Sequence, residues 1–562
     1  MKILKKKACY LGLSILLLMF SCNDYLDRKP LFGPSDENYF ANQEELTLVV
    51  NGLYSAMVYH PLDNIPLNLV MDASSDFGWD RNTSALQALG RGDHDSNNSF
   101  VVNVWTNAYK VIGKSNFILD NIHKLEGNMD AALLNRYRAE TRFIRAFTYQ
   151  YLVDLFGGVP LMDKGLSLSE AQIPRASKEQ VVDFVLAELQ AAAEELPDSY
   201  GGSDVGRATK GAALAIRARA ALHAGRWQEA ATSAKAVMDL GVYSLHPHYG
   251  ELFTYAGESS PETIFTFQYL RLQNTRTQGI PFSFVSRNAQ GVSNKIPSQA
   301  LVDMFPCTDG LEIDESPLFD PKKPFEQRDP RLEYTIVLPG SELFGFQFET
   351  HKDSLLAWNY SFNTSEPVRV PNQEATHAFA TFSGYLWRKY TDMTDKGFLA
   401  NSELDVIQSR YAEVLLIYAE AMIELGQLDA SVYQAINQVR QRPSVEMPAI
   451  STGKSQAELK EIIRKERTYE LANEGFRTVD LRRWRLAEKM MNSTLYGRVP
   501  RGYLAEAPEI DSDGFVHYEQ VSNRSELRVI ENRTFNPQRD YLWPIPNIET
   551  VTNPNVEQNP NY

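Results

Sequence analysis

The chain reads as a mainly α protein: dispersed helix pairs of tetratricopeptide type, with a loop-rich region carrying short strands. Three observations predict this. Apolar and small residues recur on a helical period in paired blocks. Glycines at 225 and 426 close the first member of the two clearest pairs, leaving only a short break before the second. Between the pairs, stretches rich in Gly, Pro, Asn, Asp and aromatics show no long helical period.

Residues 209–224 (TKGAALAIRARAALHA) and 227–240 (WQEAATSAKAVMDL) make the first pair. So short a link forces the two helices antiparallel. Ala220, Ala221, Ala230 and Ala234 have no bulk to hold their backbones apart, which is the grammar of a helical repeat. Residues 409–424 and 429–440 repeat the plan. A third pair is expected at 131–156 with 178–196, whose second helix opens on a capping box, Ser177 with Gln180. A fourth is 43–59 with 100–125. The pairs are not in tandem, so the solenoid is interrupted; residues about 62–99, 243–371 and 495–537 are the expected loop regions.

The start of the chain predicts export. Lys2, Lys5, Lys6 and Lys7 precede an apolar run over residues 8–20, then the small residue Ser21 and Cys22. This is the pattern of a secretory signal, and the run is shorter than the roughly 20 apolar residues that span a bilayer. Cys22 stands where lipoprotein processing acylates a thiol, although Met19 occupies a position that usually carries Leu. The expected organisation is therefore a signal peptide over 1–21 and one domain over 22–562. Cleavage would remove four lysines and no acid, taking the net charge from −15 to −19. Such a surface repels nucleic acid. With Cys22 acylated, Cys307 has no partner for a disulfide and is expected as a small packed side chain.

Two segments invite an active-site reading. Glu466, Arg467, Glu470, Glu474, Arg477 and Asp480 crowd one helix and its exit. Arginines so close hold carboxylates ionised, so the expectation is a structural ion network pinning the last helix to the tail. In that tail Pro544, Pro546, Pro554 and Pro560 favour an extended strap, with Trp543 and Tyr562 as packing anchors. Asp93-His94-Asp95, His246-Pro247-His248 and Asp511-Ser512-Asp513-Gly514 lack the spacing of a metal site. No phosphate loop, dinucleotide fingerprint or nucleophile elbow is present, so no cofactor is expected.

Several ordered segments carry a family resemblance. They are Cys22-Asn23-Asp24-Tyr25-Leu26-Asp27; Trp105, Tyr109 and Asn116; Arg142, Arg145, Ala146 and Tyr149 leading into DLFGGVPL at 154–161; and RATKGAA at 207–213. RDPR at 328–331 follows, then Glu466-Arg467, Glu470-Leu471, Glu474-Gly475, Arg477, Asp480-Leu481 and Arg483-Trp484, and a proline-rich end from 541 to 562. In this order they resemble the SusD/RagB-like nutrient-binding lipoproteins of Bacteroidetes outer membranes. The resemblance implies a SusD-like fold whose helix pairs wind into a right-handed superhelix. It also implies a cell-surface protein, lipid-anchored at Cys22 in the outer membrane. Such a protein captures an oligosaccharide and delivers it to a SusC-like TonB-dependent transporter.

Aromatic residues among turn formers mark the candidate ligand contacts. Trp79 is flanked by Asp80, Arg81 and Asn82, after a Ser75-Asp76 step that is similar to the family's glycan-holding loop. Tyr269, Arg271 and Asn274 lie in a second loop region, and Trp358 and Tyr360 in a third. Flat rings suit the CH face of a pyranose, while carboxylate, amide and guanidinium groups meet its hydroxyls. The competing expectations are a surface glycoside hydrolase, which needs two carboxylates about 5–9.5 Å apart, and a repeat scaffold that binds only protein or peptide.

Overall fold

The computed structural model describes residues 40, 42–167, 169–272, 275–362 and 365–562. The expected signal peptide, Cys22 and Asn274 lie outside these residues.

The helix pairs form as the spacing predicts. They comprise α1 (Gln43–Met57), α2 (Ser99–Asn121), α3 (Ala131–Phe156), α4 (Lys178–Glu195), α5 (Lys210–His223), α6 (Trp227–Asp239), α7 (Tyr411–Glu424) and α8 (Ala430–Arg440), and α9 (Gln456–Leu471) follows the last pair. Neighbours in this order pack on one another from α2 to α8, and α6 meets α7 across the whole inserted region 240–405. Local chemistry sets the starts. The Ser177 hydroxyl accepts from the Gln180 N–H while Gln180 reaches back, and the Thr209 hydroxyl accepts from the Ala212 N–H at 3.1 Å. The repeat also shows in the turns. Gly225 and Gly426 sit at φ +72° and +71°. The next N–H bonds back in the same way at both, Arg226 to Ala221 O at 2.8 Å and Gln427 to Met422 O at 2.9 Å. Ala221, Ala230 and Ala234 are fully buried between α5 and α6.

Two details depart from expectation. Ser409 and Arg410 belong to a strand, Val406–Arg410, and α7 begins only at Tyr411. That strand runs antiparallel to Thr263–Phe267, a pairing that ties the inserted region to the repeat. The C-terminal segment is not wholly extended, because Asn547–Thr552 forms a short helix. Its anchors pack as expected: Trp543 lies between Phe100 and Phe156, with ring centroids 5.9 and 5.7 Å away. The Tyr562 hydroxyl sits 2.7 Å from His94 Nε2.

One hydrophobic core runs from Phe40 to Val556 through all the helix pairs and the C-terminal segment. A second, smaller core lies under the loops. It gathers Trp79, Val285, Ile296, Leu343, Phe348, Leu386 and Leu399, with Phe382 against its edge. Among the described residues no helix is long and apolar enough to cross a membrane.

The acid–arginine crowd on α9 is a buried ion network. Arg410 meets Glu474 at 2.7 Å, Glu470 at 2.7 Å and Glu262 at 2.8 Å. Arg331 meets Glu466 at 2.6 Å and Glu470 at 3.0 Å, and Arg442 meets Glu262 at 2.5 Å and Glu470 at 2.9 Å. Burial would raise the Glu470 carboxyl, but Arg442, Arg410 and Arg331 outweigh it and hold the group well below the ordinary carboxylate range. Glu474 is held low in the same way, by Arg410 and Lys389, so these two carboxylates are ionised. The network binds α9 to residues 262, 331, 410 and 442 and not to the tail, so that part of the expectation is corrected. Glu262 and Arg331 come from the inserted region, and Arg410 and Arg442 from the helical repeat that follows it.

A neighbouring acid titrates the other way. Burial pushes Asp72 up to about 7, although the N–H groups of Gly475 and Asn473 partly offset it. A carboxyl raised on folding stabilises the fold at low pH and loses that contribution as pH rises through 7. Asp72→Asn cannot ionise, so its stability relative to the parent should improve on going from about pH 5 to about pH 8, by on the order of 2 kcal/mol. Urea unfolding at the two pH values measures this; a constant difference would remove Asp72 as the titrating group.

Candidate functional site

Strand Gly78–Asp80 fixes the first candidate loop. It pairs antiparallel with Lys295–Pro297, setting Trp79 opposite Ile296 and Asp80 opposite Lys295. The strands approach so closely that a Cβ on Gly78 would lie 2.8 Å from the Ile296 carbonyl oxygen. The pairing turns Trp79 inward, where it is 8% exposed, donates from Nε1 to Glu531 at 2.9 Å and packs on Phe382. The expectation of a solvent-facing Trp79 is therefore corrected: the ring plugs the small core beneath its loop. Asp80 is also buried, 3.3 Å from Lys295 Nζ, and its Oδ1 accepts from the Asn82 N–H at 2.8 Å. That bond turns the chain outward, leaving Asn82 exposed.

Arg81 does face the surface, half-buried. It donates to the carbonyls of Phe379 at 2.5 Å and Val292 at 2.9 Å. Arg287 donates to the same two carbonyls, at 2.5 and 3.2 Å. Two guanidinium groups thus clamp the backbone at Phe379 and prop its ring outward, 58% exposed, with Arg81 5.6 Å from the ring centre.

The second loop region divides in the same way. Tyr269 is buried at the loop base, its hydroxyl 2.8 Å from His60 Nε2. Arg271 pairs with Glu403 at 2.9 Å and lies 4.4 Å from the centre of the Phe398 ring, itself 53% exposed. In the third, Trp358 is on Leu356–Asn359, in a four-stranded sheet, half-buried under Arg369 at 4.7 Å. Tyr360 is half-buried and its N–H donates to Gly345 O at 2.8 Å; Phe362, two residues on, is 77% exposed.

Hydrogen bonds join these regions into one loop face. The exposed Phe282 links them, its N–H donating to Leu399 O at 3.0 Å and its carbonyl accepting from Val292 N at 2.8 Å. Lys396 Nζ reaches Ser361 Oγ at 2.5 Å and brings the Tyr360–Phe362 turn alongside. The face therefore presents Phe282, Phe362, Phe379 and Phe398 beside Arg81, Asn82 and Arg271. The four phenylalanines and Arg287 were missed in the sequence; their only signal was an aromatic or guanidinium set among turn formers.

Comparison with known proteins assigns the chain. The model of the SusD family matches residues 261–562, more than half of the sequence. The chain belongs to the SusD family. A second model, described as "Starch-binding associating with outer membrane", matches residues 24–222 of this SusD-family chain. SusD-like protein P2 of Formosa agariphila is 27% identical over 574 residues, covering 98% of each chain. The starch-binding protein SusD of Bacteroides thetaiotaomicron is 34% identical over 149 residues, about 25% of each. Among solved structures, a SusD-like carbohydrate-binding protein from Bacteroides fragilis superposes with a TM-score of 0.78 at 29% identity, covering 92% of this chain and 99% of the other.

Proposed function

We propose that this SusD-family protein is a non-enzymatic, cell-surface glycan-binding lipoprotein. Anchored through Cys22 in the outer membrane, it captures an oligosaccharide on the loop face and passes it to a SusC-like TonB-dependent transporter. One observation carries the binding role: four exposed phenylalanine rings share a face with guanidinium and amide groups. The names of the relatives, starch-binding SusD and a carbohydrate-binding SusD-like protein, support the ligand class. Stacking and hydrogen bonds to a hydrated sugar largely exchange with water, so affinities of about micromolar to millimolar are expected. Tethering beside the transporter makes such affinities sufficient.

The hydrolase reading rests on different residues. Burial raises Asp405 to about 7 and also raises Glu258. Both border a pocket of about 380 Å³ whose lining includes none of the exposed phenylalanines. A glycan array, followed by a reducing-end assay on whatever binds, separates the readings. Glycan binding without new reducing ends is the expected result. New ends that disappear in Asp405→Asn would replace it with hydrolysis, and a blank array would remove the glycan reading altogether.

A further inference from the structure

The charge of the binding face is opposite to that of the molecule. The chain carries −15 overall, and most arginines of the helical body sit against carboxylates, as in the α9 network. On the loop face the pattern reverses. Among the described residues, Arg81, Arg287, Lys352 and Arg528 have no carboxylate within ion-pair distance. Arg81 and Arg287 spend their donors on the carbonyls of Phe379 and Val292, and Lys352 spends its own on the carbonyls of Glu374 and Ala375. Carbonyls accept hydrogen bonds but leave the cation's charge uncancelled.

The cations are also contiguous. Arg528, on the strand Arg528–Asn532, lies 4.2 Å from the centre of the Phe382 ring, and Arg81 lies 5.8 Å from the same ring. Lys352 stands close enough to Arg528 and Arg501 for both to lower its pKa, after burial; Arg287 does the same to Arg81. The carboxylates near the strip are spoken for: Glu531, on the same strand as Arg528, pairs with Arg533 at 2.9 Å. Asp353 is taken by Arg501 at 3.1 Å and Asp80 by Lys295. Glu374 is buried, accepting from the N–H groups of Arg287 and Thr381 at 2.7 and 2.9 Å. The face therefore keeps a net positive charge along the edge that carries the Phe379 ring.

We infer that the ligand of this face is an anionic glycan, whose carboxylate or sulfate groups meet the Arg81–Arg287–Lys352–Arg528 strip while its sugar rings stack on the exposed phenylalanines. This rests on the glycan-binding reading above. A neutral sugar gains only ordinary hydrogen bonds from guanidinium groups, whereas an anion also gains their uncancelled charge and makes stronger, charge-assisted hydrogen bonds. The negative remainder of the protein opposes indiscriminate polyanion binding, so charge alone is not the selector.

The test titrates the purified full chain with oligogalacturonate as the carboxylate probe, a sulfated galactan oligosaccharide as the sulfate probe, and maltoheptaose as the neutral one. At least one anionic probe should bind, more weakly as sodium chloride is raised, and at least about tenfold more tightly than maltoheptaose. Arg528 makes no side-chain hydrogen bond among the described residues, so its replacement spares the backbone clamp. Arg528→Gln should lose about tenfold in affinity and Arg528→Lys should keep most of it. Which anionic probe binds tells carboxylate from sulfate. Maltoheptaose bound as tightly as both anionic probes, or Arg528→Gln without effect, would overturn the charge assignment while leaving glycan binding in place. Equal binding to vesicles of anionic phospholipid would overturn it too, because the strip would then read charge without sugar.

Discussion

Arg410→Met should cost about 3–5 kcal/mol of folding stability, because it strips a buried ion network of its central cation. The guanidinium holds Glu262, Glu470 and Glu474 at once, and its Nη2 donates to the Glu470 carbonyl at 2.7 Å. Removing it leaves buried carboxylates sharing only Arg331, Arg442 and Lys389. Those acids must then take up protons or admit water, and both are costly in a site that excludes solvent. Acid should act in the same direction on the parent protein. Glu470 and Glu474 have carboxyls lowered on folding, so their contribution is present above the ordinary 4.5 and is lost as pH falls through their folded values. Urea unfolding at neutral pH measures the substitution. A loss below about 1 kcal/mol, the size of a solvated pair, would mean that water already reaches the network.

Trp79→Ala should cost about 3–5 kcal/mol as well, through a cavity in the small core and not through the ligand. The indole fills space between Ile296 and Phe382 and satisfies one oxygen of Glu531. Trp79→Phe keeps most of the packing and leaves Glu531 with Arg533 at 2.9 Å, so it should remain folded with near-normal glycan affinity. Phe379 is the opposite case. Its ring is exposed and contributes little to the core, so Phe379→Ala should leave the unfolding midpoint almost unchanged and weaken glycan binding about tenfold.

The contrast shows what a single chain discloses. The helix pairs were legible because their information is local: alanine spacing, the Ser177–Gln180 cap, and glycines 225 and 426 at positive φ all act within one turn. The inward turn of Trp79 was not, because the strand that decides it, Lys295–Pro297, and the Glu531 carboxylate that takes its N–H both lie far along the chain. The sequence marks Trp79 and Phe379 alike, as aromatics among turn formers, and only strand pairing and the Arg81–Arg287 clamp separate plug from platform. The α9 network was half legible for the same reason. Neighbouring acids and arginines predicted neutralisation, but Glu262 and Arg331, which fix its place in the fold, lie far back in the chain.

Calorimetric titration of one bound oligosaccharide into the parent, Trp79→Phe and Phe379→Ala proteins asks directly whether the exposed rings of the loop face hold the sugar. Parent-like affinity for Trp79→Phe with about tenfold weaker binding for Phe379→Ala is the predicted result. Unchanged binding in Phe379→Ala, or loss confined to Trp79→Phe, would contradict it and move the sugar to another surface.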